Sequence, residues 1–151
     1  MNMTLTKPRA WQHWKETNRV TLLAAFEDSI AGMRVKAFCQ GLSRDLGADC
    51  RIVEHVWLFN TFRFHELQEI AAEEASASDL IILSVHQAQS LPDEVKSWIE
   101  LWLRPTVRHP AVLLVLLDPE GEFAPNEVQP YLQEVASRGG MEFLVEAADD
   151  L

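Results

Sequence analysis

Basic residues are scarce. Thirteen Lys and Arg against twenty-three Asp and Glu leave a formal net charge of −10. Affinity for nucleic acid rests on Lys and Arg neutralising phosphates, so that class of partner is excluded. Docking on an anionic membrane surface is disfavoured for the same reason. Cysteine is scarcer still: Cys39 and Cys50 have no C-x-x-C spacing and no companions. They read as reduced thiols of a cytoplasmic protein. The longest clean apolar run, Ala111 to Leu117, is far below the ~20 residues a bilayer-spanning helix needs. Met1 to Ala10 lacks the apolar stretch of a secretory signal. His13, His55, His65 and His109 are scattered without metal-ligand spacing, so no zinc site is expected, and no residue is assigned as a metal ligand. Internal repeats, low-complexity tracts and linkers are likewise absent.

Nearly half the residues are hydrophobic and about a quarter charged, a globular composition. At 151 residues the chain suits one domain that buries roughly two-thirds of its unfolded surface. Charge is unevenly spread. Residues 1–19 carry Lys7, Arg9, Lys15 and Arg19 against Glu16, whereas residues 118–151 carry nine carboxylates against Arg138. The plain expectation is a basic arm and a solvated acidic end; a contact between the two is the sharper one.

The organising stretch is Ser78 to Leu103. Leu80-Ile81-Ile82-Leu83 is a short apolar run rich in β-branched residues, the pattern of a strand buried on both faces. Pro92 suits a first helical turn, and Asp93 and Glu94 complement the helix dipole. Val95, Trp98, Ile99, Trp102 and Leu103 then fall on one helical face. Large aromatics there are core in the simplest case, or a dimer patch if the helix lies at the rim.

The rest of the chain repeats this strand-and-helix unit. Arg19 to Phe26 is the first strand. A helix from about Ala31 to Leu46 follows, capped by Ser29 or a neighbour, with Val35, Phe38, Leu42 and Leu46 buried and Gly47 closing it. Arg51 to Phe59 is a second strand, with Ile52, Val56 and Leu58 on one side of the pleat and Val53, His55, Trp57 and Phe59 on the other. Phe64 to Ala77 is a helix with Leu67, Ile70, Ala71 and Ala75 inward. Arg104-Pro105 and His109-Pro110 punctuate the way to a fourth strand, Ala111 to Leu117. Asp118-Pro119-Glu120-Gly121 is turn chemistry. The last helix starts near Pro125, carries Val128, Tyr131, Leu132, Val135 and Ala136 and ends at Gly139-Gly140. Met141 to Val145 is a fifth strand, and Glu146 to Leu151 an acidic tail that frays. Residues 1–18 form an N-terminal arm in which Trp11 and Trp14, three apart, make one side of a short helix packed on the domain or on a second copy.

Five strands alternating with helices imply a three-layer α/β/α domain, residues 19–151, with a parallel sheet in flavodoxin-like order 2-1-3-4-5. In that order a crevice opens at the carboxyl ends of strands one and three. Candidate ligand-binding residues there are Glu27, Asp28 and Ser29 after strand one, Asn60 after strand two, Ser84, His86 and Gln87 after strand three, and Asp118 after strand four. His86 could serve as acid or base, although a loop histidine is more often a hydrogen-bonded surface group. Glu27 and Asp28 could hold a divalent ion or simply cap a helix. Ser84 has no G-x-S-x-G surroundings to make it a nucleophile. Trp57 and Phe59 read as covered core, or as a shelf for a planar ligand.

The stretch Asp79 to Leu103 resembles the central segment of the NAD(P)H-dependent FMN reductases in the flavodoxin-like group. Leu91-Pro92, Val95-Lys96 and Trp98-Ile99-Glu100 carry the likeness, which spans about 25 residues of the chain. It implies the fold, and with it FMN as cofactor. Where that family places a proline and an aromatic beside the flavin, this chain has Val85-His86-Gln87. Where the family's first loop donates hydrogen bonds to the FMN phosphate, this chain has Glu27 and Asp28. Those two anions disfavour FMN. The chain is also similar to response-regulator receiver domains, through the acidic pair and the pattern Asp79 to Ser84. It has Ser84 at the phosphoacceptor position and no counterpart of the receiver lysine after strand five.

The resulting expectation is a cytoplasmic, non-catalytic binding or signalling-type module, a homodimer or bound to a protein partner, with a small-molecule ligand as a further candidate. An FMN-dependent NAD(P)H oxidoreductase with an atypical phosphate loop is the alternative.

Overall fold

The computed structural model describes residues 8–103, 111–119 and 127–147. In chain order they form α1 (Trp11–Thr17), β1 (Arg19–Phe26), α2 (Ser29–Leu46), β2 (Arg51–Leu58), a 3-10 helix (Phe59–Arg63), α3 (His65–Ser76), β3 (Leu80–Ser84), α4 (Asp93–Leu103), β4 (Val112–Leu117), α5 (Val128–Gly139) and β5 (Glu142–Ala147). All four strand pairings are parallel and the order is β2-β1-β3-β4-β5. The central strands β3 and β4 are covered on both faces, as their continuous apolar runs require.

Alternation along the strands divides the interior in two. Val20, Leu22 and Ala24 of β1, Leu80 and Ile82 of β3, and Val112, Leu114 and Leu116 of β4 face α1 and α2. Leu23 and Ala25, Ile81 and Leu83, and Leu113 and Val115 face α3, α4 and α5. Trp98 and Trp102 lie wholly inside this second core, Trp98 stacked on Phe62 at 4.6 Å and edge-on to Trp102 at 5.8 Å. The rim position that would have exposed them is not the one they take.

Trp11 and Trp14 do form one side of a helix, and that side is buried among Val20, Leu22, Leu42 and Leu46. Asn18 ends α1 in the left-handed region, at φ 57°. Gly140 ends α5 likewise at φ 66°, a conformation open to glycine at little cost.

Several expectations need correction. Phe59 leaves the sheet and opens the 3-10 helix, where it is buried. Ile70 is 48% exposed, whereas Gln68 points inward; its amide donates to the Phe62 and Glu94 carbonyls at 2.6 and 3.3 Å. Two backbone carbonyls, one in the 3-10 helix and one in the first turn of α4, thus draw a polar side chain to the inner face in place of an apolar one. Glu146 is not tail but strand, paired opposite Leu116 and buried. The Arg104-Pro105 and His109-Pro110 breaks, Glu120-Gly121, the start of the last helix near Pro125 and the tail beyond Ala147 lie outside the described residues.

Candidate functional site: a crevice filled by the protein's own carboxylates

The loops at the carboxyl ends of β1, β3 and β4 meet, as the strand order dictates. β1 runs directly into Glu27, whose backbone N–H donates to the Ser84 carbonyl at 3.1 Å and prolongs the ladder. Asp28 is the N-cap of α2, with Oδ1 accepting from the Ala31 N–H at 2.9 Å. Ser29, the first residue of the helix, is exposed. Ser84 ends β3 fully buried, and its hydroxyl donates to the Ala31 carbonyl at 2.9 Å. That hydroxyl ties the strand to the first turn of α2 and offers nothing to solvent, so neither a nucleophile nor a phosphoacceptor is presented there.

The loop after β3 is held by acids from two directions. The His86 N–H donates to Glu27 Oε1 at 2.7 Å, and the His86 ring Nδ1 lies 2.8 Å from Asp28 Oδ2. The Gln87 N–H donates to Asp118 Oδ2 at 2.8 Å. Gln87 itself adopts φ 74°, which costs a non-glycine residue on the order of 1 kcal/mol. The other oxygen of Asp118 takes Nη1 of Arg34 at 2.8 Å, and the same nitrogen is 3.4 Å from the Val85 carbonyl. Both side chains of the Arg34–Asp118 pair are largely buried. Asn60 stands apart, exposed on the 3-10 helix, its amide oxygen accepting from Arg63 at 3.3 Å.

Six of the eight candidate residues, Glu27, Asp28, Ser84, His86, Gln87 and Asp118, are therefore joined into one network. Arg34 is the member that sequence reasoning missed. Its signal was available: it sits three residues after Ala31 and four before Phe38, both on the buried stripe, and an arginine there needs a buried anion.

Electrostatics follow from these contacts. Desolvation, outweighing the N–H groups of His86 and Ala88, leaves Glu27 above its ordinary 4.5. For Asp28 desolvation also pushes upward, but the Ala31 N–H and the contact with His86 together prevail and hold it below 3.8. Three carboxylates against one guanidinium give a negative site. Among the described residues no group of three or more His, Cys, Asp or Glu is arranged to hold a metal ion.

An FMN phosphate needs free N–H donors in the loop after β1, at the start of α2. Asp28, Glu27 and Asp118 take the N–H groups of Ala31, His86 and Gln87. The residues present do not fit that phosphate.

No family model matches the chain, and no curated protein matches it. Among solved structures it is similar to an azoreductase from Bacillus anthracis str. Sterne, at 10% identity and a TM-score of 0.57 over 83% of this chain and 86% of that one. With five parallel strands in the order β2-β1-β3-β4-β5, the chain has the flavodoxin-like α/β fold.

Proposed function

We propose that this chain is a non-catalytic, cytoplasmic flavodoxin-like domain that acts by binding a partner, its crevice closed by its own acids. The observation that carries this reading is the capture of the Ala31, His86 and Gln87 N–H groups by Asp28, Glu27 and Asp118. A carboxylate at a helix N-terminus satisfies the same donors and dipole that a phosphate would. An incoming anion would have to displace a tethered one and then sit beside the others. The effective concentration of the tethered groups favours them.

The likeness to an azoreductase speaks for the alternative, an FMN-dependent NAD(P)H oxidoreductase in which the phosphate is held elsewhere in the crevice. The visible absorption spectrum of the purified protein, FMN-dependent thermal stabilisation and NAD(P)H oxidation separate the two. The first reading expects a colourless protein, no stabilisation and no oxidation above the protein-free rate. Flavin retained through gel filtration would establish the alternative.

A further inference from the structure

On the face of the sheet that carries α1 and α2, coverage stops short of one edge. α2 packs on β1, β3 and β4, and β2 has a sheet neighbour only in β1. Register places Glu54, Val56 and Leu58 of β2 beside Leu22, Ala24 and Phe26, hence on the same face as α2. Between that overhang and the helix runs a groove of about 720 Å³. Phe26, Gly32, Met33, Cys39 and Val56 are among the residues that line it. Gly32 gives the groove depth: a Cβ there would meet the Phe26 ring at 3.0 Å. The apolar side chains here are bare, Met33 at 68% and Val56 at 56% exposed, with Ile30 and Leu58 adjoining in sequence and register.

We propose that this strip is the contact surface for a second copy of the same chain, packed about a two-fold axis. Two features favour self-association over a foreign partner. An isologous interface must be its own complement, and here a projecting Met33 stands beside a recess of matching apolar character. Among the described residues lining the groove, Lys36 is the one cation and Glu54 the one carboxylate. Lys36 has no ion-pair partner within the described chain, and a two-fold axis between the two residues sets each Lys36 against the other copy's Glu54. Against these stands a cost, since the chain carries a net charge of −10 and two copies repel over most of their surface. This strip, with one charge of each sign, is where that cost is least. The open backbone edge of β2 lies along the same border and adds unpaired donors and acceptors. The groove adjoins the crevice at Ser29, but the inference uses none of the carboxylates that fill the crevice and stands whichever reading of it holds.

The test is the mass of the full chain in solution by light scattering across a concentration series. A dimer is expected. Met33→Asp and Val56→Asp, both at exposed positions, should each raise the dimer dissociation constant by at least about tenfold. Lys36→Glu and Glu54→Lys should each weaken it by about threefold or more, and the double swap in one chain should restore it. Circular dichroism of each variant checks that the monomer fold is kept. A protein that stays monomeric at every concentration overturns the proposal. So does a dimer indifferent to Met33→Asp and Val56→Asp, or a double swap no tighter than the single ones.

Discussion

His86 Nδ1 lies 2.8 Å from Asp28 Oδ2, a bond that joins the loop after the third strand to the cap of the second helix. Asp28 is held below its ordinary 3.8, so its contribution to stability is present above that value. It is lost as pH falls through the depressed one. Asp28→Asn, which keeps the capping oxygen, should lower the urea midpoint at pH 7 by an amount worth less than about 1 kcal/mol, because the pair is partly solvated. The difference should vanish in acid below both values. An equal deficit at all pH values would mean that the charge is irrelevant.

Glu27 and Glu146 carry the opposite sign. Burial raises both above 4.5, so each contributes stability that is complete below the ordinary value and is lost as pH rises through the raised one. Glu146 is only 7% exposed, and its Oε2 has no hydrogen-bond partner among the described residues. Glu146→Gln should therefore raise the urea midpoint at pH 7 and leave it nearly unchanged in acid. Equilibrium unfolding at the two pH values checks this.

The Arg34–Asp118 pair should behave as a buried ion pair behaves when one partner is removed. Arg34→Met leaves Asp118 charged and largely buried, at a cost of roughly 3 kcal/mol. Arg34→Met with Asp118→Leu should recover part of that loss. The recovery is incomplete because the Gln87 N–H then loses its acceptor as well. A double-mutant cycle in urea measures the coupling.

These two arginine and aspartate positions also show what the sequence can and cannot reveal. The apolar run Leu80 to Leu83 sets the central strand, and the period from Val95 to Leu103 sets the helix after it; both depend on local pattern. The strand order follows because short parallel connections leave few topologies. Arg34 and Asp118 are 84 positions apart, and no local pattern pairs them. Ile70 and Gln68 fail for another reason. Periodicity ranks side chains by apolarity, and it cannot see that the Phe62 carbonyl needs a buried donor. The acidic pair Glu27-Asp28 stands out in the sequence, but the N–H groups that it holds do not.

Gln87 should rank variants by backbone conformation alone. At φ 74°, Gln87→Gly should be neutral or stabilising by up to about 1 kcal/mol, and Gln87→Val destabilising by about 1–2 kcal/mol. The backbone N–H that Asp118 accepts is retained in both. Thermal unfolding gives the order Gly, Gln, Val; any other order would place the strain elsewhere.

Thiol reactivity offers a last check. Cys39 is buried and its pKa is pushed up to about 12, first by desolvation and then by the Glu54 carboxylate beside it. Cys50 is partly exposed, and burial raises it by itself. A thiol-specific reagent at mildly alkaline pH should label Cys50 first and Cys39 only after denaturant is added.

The strand that lies mid-sheet is also mid-chain, and synthesis on the ribosome is vectorial. β1 and β2 emerge first, yet β1 keeps one flank unpaired until Leu80 to Ser84 has left the exit tunnel. The nascent chain thus carries an apolar template from the emergence of Phe26 to that of Ser84, more than a third of its length. Neither a fragment ending before β3 nor one beginning after it holds a closed core, so a chain cut there should be degraded rather than reassembled from two stable pieces.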